Sequence, residues 1–295
     1  MDSAQDPIST TFRDRGPQAV DSSIVPDGAS CIEQEIAGWV FSIYTYHPRQ
    51  EAKPEVLLLF DGMHRNAEQI RNKAIRLAER TGMTLLAPLM DSERFPNWRY
   101  ARAGVIQKRK IQPPAEWTGP ILQALVDWAR GLFPCTPARV SLLGHSAGGQ
   151  LLSRVSAYSP LVHVDEIIIA NPSTHAMPVL HERAPYGFKG LFSTEEADRR
   201  LRAYLTAPIT IYLGKEDKGT RNLSRSTAAI RQGSNRLKRG RFAFRTAQGM
   251  AKSLGSPCHW RLVEVPGVAH SSRAMLEAEQ LIEILKSKCV TDPPS

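Results

Sequence analysis

Arg139-Val-Ser-Leu-Leu-Gly144-His145-Ser146-Ala147-Gly148-Gly149 joins a strand pattern directly to a helix pattern. A short apolar run enters a Gly-x-Ser-x-Gly pentapeptide, and the helix-compatible residues 150–157 leave it. A strand that reverses into a helix within a few residues forces the central residue into a strained backbone. Glycines two positions to either side let such a turn close without Cβ clashes. The serine oxygen is then held above the edge of a sheet, which points to a serine hydrolase. Gly148-Gly149 as a plain tight turn is the alternative, and the strand before it and the helix pattern after it oppose that reading.

Residues 38–46 alternate β-branched and aromatic residues with others, as a half-exposed strand does. Residues 56–60, 83–89, 140–143, 164–170, 208–213 and 260–265 are mostly short apolar runs, the pattern of strands buried on both faces. Between them, Ala67, Ile70, Ala74, Leu77 and Ala78 recur at helical spacing up to Thr81-Gly82. Trp117, Ile121, Leu122, Leu125, Val126 and Ala129 do the same, and 274–285 closes the chain as one amphipathic helix. Strands alternating with helices specify an α/β fold, a mostly parallel doubly wound sheet covered by helices on both faces. The excursion 171–207, rich in Pro and Gly with a short helix around 193–204, falls at the serine's edge of the sheet and is a candidate cap.

The chain has 295 residues and 42% apolar content, enough for one large domain, expected over 31–290. Residues 1–30 show little periodicity and read as a leader without the apolar core of a secretory signal; with no apolar run of about 18 to 20 residues, a cytoplasmic protein is expected. Cys31, Cys135, Cys258 and Cys289 form no C-x-x-C pair, so isolated thiols are expected, with Cys31–Cys289 or Cys135–Cys258 as conceivable bridges. Net charge is +9, and residues 218–260 hold ten Lys or Arg and no Asp or Glu. That block reads as the solvated face of one helix rather than a phosphate-facing patch or a dock for an acidic surface, since no nucleic-acid module accompanies it.

A serine hydroxyl near neutral pH is a poor nucleophile and needs a base, held in turn by an acid. In a doubly wound sheet both lie just past the C-terminal ends of later strands. His270 follows the last strand, with Gly267 allowing the turn. Asp217 follows the strand 208–213, with Glu216 its close rival. The chain order Ser146, Asp217, His270 is the one such sheets use. His145, next to the serine, is expected to point away from it. An oxyanion needs two backbone N–H donors: Ala147, after the nucleophile, supplies one. Met63, after the first buried strand, supplies the other, with Gly62 permitting close approach.

With these parts in order, residues 36–286 resemble the α/β-hydrolase superfamily. The resemblance implies a parallel-rich sheet of roughly eight strands and hydrolysis through an acyl-enzyme, with no metal or organic cofactor. The Asp61–Ala67 loop, the Phe95–Tyr100 segment and Ala170-Asn171-Pro172-Ser173 look like the bacterial polyester depolymerase and feruloyl-esterase-like branch. Many relatives carry His-Gly where this chain has Asp61-Gly62, so Asp61 is expected to turn away and bind backbone or an arginine. His64, Trp98, Tyr100 and His175 are the candidate substrate contacts; Trp98 and Tyr100 either wall the pocket or pack their loop down. Arg99, Arg102, Lys108, Arg109 and Lys110 favour a substrate with a carboxylate. The expected activity is hydrolysis of a small-molecule or oligomeric carboxylic ester. The rivals are an amidase, peptidase or acyltransferase on the same residues, or a binding protein on the same fold.

Overall fold

A computed structural model describes residues 25–49, 52–133 and 135–287. Eight strands form one sheet: β1 (Gly28–Ile36), β2 (Trp39–His47), β3 (Glu55–Phe60), β4 (Thr84–Pro88), β7 (Arg139–His145), β8 (Glu166–Ala170), β9 (Ile209–Gly214) and β10 (Arg261–Val265). Their spatial order is β1-β2-β4-β3-β7-β8-β9-β10. From β4 to β10 all neighbours are parallel, whereas β1 and β2 pair antiparallel at one edge and β2 runs antiparallel to β4. The short β5 (Ile106–Gln107) and β6 (Lys110–Ile111) make a separate hairpin.

The central strands read as unbroken apolar runs because both of their faces are covered. Leu58 and Phe60 of β3 enter one core together with Leu142, Ile169 and Leu213, while Leu57 and Leu59 enter the other with Leu143, Ile168 and Tyr212. The helices α1 (Ala67–Thr81), α7 (Ser272–Glu277) and α8 (Glu279–Lys286) cover the second face. The helices α2 (Thr118–Arg130), α3 (Ala147–Tyr158), α4 (Thr194–Thr206) and α6 (Arg236–Leu254) cover the first, with the short α5 (Thr227–Gln232) leading into α6. Caps set several helix ends: the Asn66 side chain accepts from the Gln69 N–H, and Gly82 closes α1 in the left-handed conformation. Among the described residues no helix is long and apolar enough to cross a membrane.

Three differences from the sequence reading stand out. Residues 28–30, placed in the leader, belong to β1, whose alternating, half-exposed Gly-Ala-Ser-Cys-Ile-Glu-Gln-Glu-Ile run is an edge strand; residues 1–24 lie outside the described residues. The C-terminal helix is two, broken at Ala278, which takes extended dihedrals. The excursion 171–207 is mainly the β8-to-β9 crossover: residues 171–179 are buried, and α4 packs against α3 and α6. Cys31, Cys135 and Cys258 are free, and Cys289 lies outside the described residues.

The turn after β7 is the tightest place in the sheet. A Cβ on Gly148 would stand 2.2 Å from the Phe60 carbonyl oxygen, and one on Gly144 would stand 2.3 Å from the Gly148 oxygen. Both neighbours are backbone and have nowhere to go. Gly148→Ala is therefore expected to cost about 1 to 3 kcal/mol in urea unfolding, the penalty of overpacking. Gly249→Ala, in α6 with open space at its Cβ, is expected to stabilise by roughly 0.4 to 1 kcal/mol. Equal effects at the two sites would contradict the steric account of the turn.

Candidate active site

Ser146 sits between β7 and α3 with φ 57° and ψ −107°, a backbone conformation that non-glycine residues seldom adopt. The fold over-determines it: the Ser146 N–H donates to the Ala170 carbonyl at 2.9 Å, and the surrounding glycines admit no side chain. Strain held this way is a mark of function rather than of stability. Gly62 lies beside the serine, its Cβ position 3.6 Å from the Ser146 Cβ. The N–H groups of Met63 and Ala147 donate to no acceptor among the described residues, and Ala147 opens α3, where the first amides have no partner within the helix.

His270 Nε2 lies 3.2 Å from Ser146 Oγ, and His270 Nδ1 lies 2.6 Å from Asp217 Oδ2. A carboxylate only accepts, so Nδ1 carries the proton and Nε2 of the neutral ring faces the serine with its lone pair. Two loops are zipped together to achieve this. The Lys215 N–H donates to the Val265 carbonyl and the Glu216 N–H to that of Val268, both at 2.9 Å. Gly214 fits under the second loop where a Cβ would stand 2.4 Å from the Val268 oxygen. Asn171, at the end of β8, ties in the same corner by accepting the Gly214 N–H at 2.9 Å on Oδ1.

Asp217 is 1% exposed and Glu216 is exposed and paired with Lys218 at 2.9 Å, so only the first faces the imidazole. The other oxygen of Asp217 meets Arg236 Nη1 at 3.5 Å, and Arg236 is itself 2% exposed. Burial lowers the Arg236 pKa and the Asp217 charge opposes that. Part of the basic block is thus interior: Arg236 backs Asp217, and Arg239 is buried, donating to the carbonyls of Ser173, Ser224 and Gly233. Burial of a cation depends on what packs over it, which the run of charges in the sequence did not reveal.

The Asp61 carboxylate is tied to backbone. Asp61 Oδ2 accepts the Asn66 N–H at 2.8 Å, and the Asp61 carbonyl accepts the Tyr100 hydroxyl at 2.7 Å. Tyr100 is 2% exposed, with the Arg65 guanidinium 3.6 Å above its ring, so it fastens the loop instead of walling a pocket. Trp98 does not line the cleft either; its neighbours Asn97, Ala101 and Arg102 do. His145 departs from expectation too. Its ring is 4.8 Å from that of His270, and it stays neutral near pH 7 because burial, then the charges of His270, Arg236 and Lys73, push its pKa down to about 3.

Ser146 opens into a cleft of about 560 Å³. Met63 and His64 line one side; Ser173, Thr174 and Tyr186 reach it from the crossover, and 222–224 from the loop before α5. Of the carboxylate-reading candidates only Arg102 lines it: Arg99 stacks on Trp39 and Trp98, and Lys108 and Arg109 form the exposed turn of the β5–β6 hairpin. Arg154, not singled out in the sequence, lines it as well. It stands eight residues after Ser146, two turns along the same helix face, which is the signal that was there to be read.

His175 is fully buried and absent from the cleft, so it is not a substrate contact. Burial, then the charges of Arg154 and Arg239, push its pKa down to about 3 from 6.5. Above pH 6.5 the ring is neutral whether the chain is folded or not. Below that the unfolded chain binds a proton the folded one refuses, so stability is lost as pH falls toward about 3. His175→Leu is expected to flatten the decline of the urea midpoint between about pH 6 and pH 4. An unchanged slope would mean that His175 takes up its proton in the folded state.

No family model matches the chain, nor does any curated protein. Solved structures do. The chain is similar to LpqC, a poly(3-hydroxybutyrate) depolymerase from Bordetella parapertussis, at 28% identity and TM-score 0.77, covering 88% of this chain and 95% of that one. It is similar to poly(aspartic acid) hydrolase-1 from Sphingomonas sp. KT-1 at 27% identity and TM-score 0.79, covering 89% and 99%. An S-formylglutathione hydrolase from Agrobacterium tumefaciens, 15% identical with TM-score 0.51 over 90% and 97%, shares the fold. Sheet order, elbow and these likenesses make the chain a hydrolase of the α/β-hydrolase fold.

Proposed function

We propose that this chain is a serine hydrolase that cleaves carboxylic esters through an acyl-enzyme on Ser146. The observation that carries the reading is the unbroken line of contacts from Ser146 Oγ through both nitrogens of His270 to the buried carboxylate of Asp217, at the mouth of a cleft. Ser146 Oγ attacks the ester carbonyl carbon while His270 Nε2 takes the hydroxyl proton. Asp217 holds the Nδ1 proton and stabilises the imidazolium. The carbonyl oxygen becomes an oxyanion facing the Met63 and Ala147 N–H groups, each worth about 100- to 1,000-fold in rate. On collapse, the alkoxide leaves with the proton from Nε2. Water then attacks the acyl carbon, giving a proton to Nε2, and Ser146 departs with that proton as the acid is released.

A depolymerase of a hydroxyacid polymer among the similar structures supports an ester as the scissile bond. A hydrolase of an amino-acid polymer keeps an amide as the second reading. Matched p-nitrophenyl esters and p-nitroanilides, from acetyl to long acyl chains, separate them. Faster turnover of the esters throughout, with a chain-length optimum, is the expected result. Cleavage of the anilides alone would overturn the ester reading.

A further inference from the structure

Arg154 is 1% exposed, yet it lines the cleft. Its Nη2 donates to Thr174 Oγ1 at 2.9 Å, and its Nη1 to the carbonyls of Gln150 and Thr174 at 3.1 and 3.4 Å. Nε has no partner. Among the described residues Arg154 makes no ion pair with a carboxylate; its hydrogen-bond partners are a hydroxyl and two carbonyls. A buried charge is ordinarily paired, because an uncompensated one is costly. A second cation, Arg102, lines the same cleft, and the Tyr186 ring lies 5.8 Å from the guanidinium. On the other side of the wall Arg239 is also buried and bonded only to carbonyls. Two arginines therefore face the cleft, neither of them in an ion pair with a carboxylate among the described residues.

We infer that the arginine-lined part of the cleft binds a carboxylate of the substrate, with Arg154 and Arg102 as its partners and the Tyr186 hydroxyl, which accepts from Ser226 and keeps its own proton, beside them. The inference rests on Ser146 being the nucleophile of an ester hydrolase, and it fixes a distance. Eight residues of helix at 1.5 Å each put the Cα atoms of Ser146 and Arg154 about 12 Å apart along α3, and the guanidinium folds back to the Gln150 carbonyl. The carboxylate thus lies about 8 to 12 Å from the scissile carbonyl, roughly three units of an extended chain. A free-acid oligomer or long half-ester meets that requirement; a short half-ester does not.

The test reads binding on Ser146→Ala protein by calorimetric titration, so that it does not depend on turnover. Monomethyl suberate spans the gap, monomethyl succinate falls short of it, and dimethyl suberate lacks the charge. Monomethyl suberate is expected to bind about tenfold more tightly than the other two, the size of one charged hydrogen bond. Adding Arg154→Gln is expected to bring the suberate pair to near parity. Arg102→Gln, at an exposed position that does not endanger folding, is expected to remove part of the preference. Equal binding of the two suberates by Ser146→Ala protein, or a preference that survives both arginine substitutions, would overturn the inference. If wild-type protein cleaves no ester while the arginine-dependent preference persists, the ester reading fails and the anion site stands.

Discussion

Replacing Ser146 with alanine is expected to lower kcat for p-nitrophenyl ester hydrolysis by roughly 10⁵- to 10⁶-fold, the loss that follows when a triad nucleophile is removed. The residue's Cβ is kept, so the contacts that close the turn around Gly144 and Gly148 are untouched. Thermal unfolding should consequently stay near that of the wild type. Residual turnover above the water rate is expected, because the Met63 and Ala147 donors and the cleft remain to orient substrate and stabilise charge. A fall of less than about 100-fold, with the fold intact, would mean that another group delivers the nucleophile.

Asp217→Asn is expected to lower kcat by about 10⁴-fold, since an amide beside Nδ1 supports the wrong tautomer and offers no charge to the imidazolium. It is also expected to destabilise the protein by about 3 to 5 kcal/mol, because Arg236 would be left as a buried cation without its carboxylate. Glu216→Gln is the internal control. Glu216 is exposed and touches only Lys218 by side chain, so its loss should shift stability by about 1 kcal/mol or less and leave the rate near the wild-type value. Stopped-flow rates with urea unfolding on both variants separate the two acids. Equal loss of rate in both would contradict the assignment of Asp217.

The parts of this site that were legible in the sequence are those fixed by backbone pattern. The runs at β3, β7, β8 and β9 announce strands buried on both faces, and the elbow, Asp217 and His270 follow from where those strands end. What escaped depends on packing between distant segments. β1 is an edge strand whose covered face carries polar Ser30 and Gln34 beside Ile32 and Ile36, so it shows no apolar alternation. Tyr100 was as plausible a pocket wall as a fastener until its hydroxyl met the Asp61 carbonyl. Arg236 and Arg239 looked like the solvated members of a charged helix because what covers them, the 221–224 loop of the same basic block and Ser173 from the β8-to-β9 crossover, packs there only in the folded chain. Arg154 lay in plain view at helical spacing from the serine, and only the fold shows it buried beside Thr174 with no carboxylate paired to it among the described residues.

The most direct test is chemical. Wild-type protein treated with a fluorophosphonate ester should gain one phosphonyl group, and fragment-ion mass spectrometry should map it to Ser146 within the peptide that carries Gly144-His145-Ser146-Ala147-Gly148. Asp217→Asn should react far more slowly at the same residue, because His270 would no longer be set to take the proton. An adduct on any other residue, or undiminished labelling of Ser146→Ala, would contradict the account.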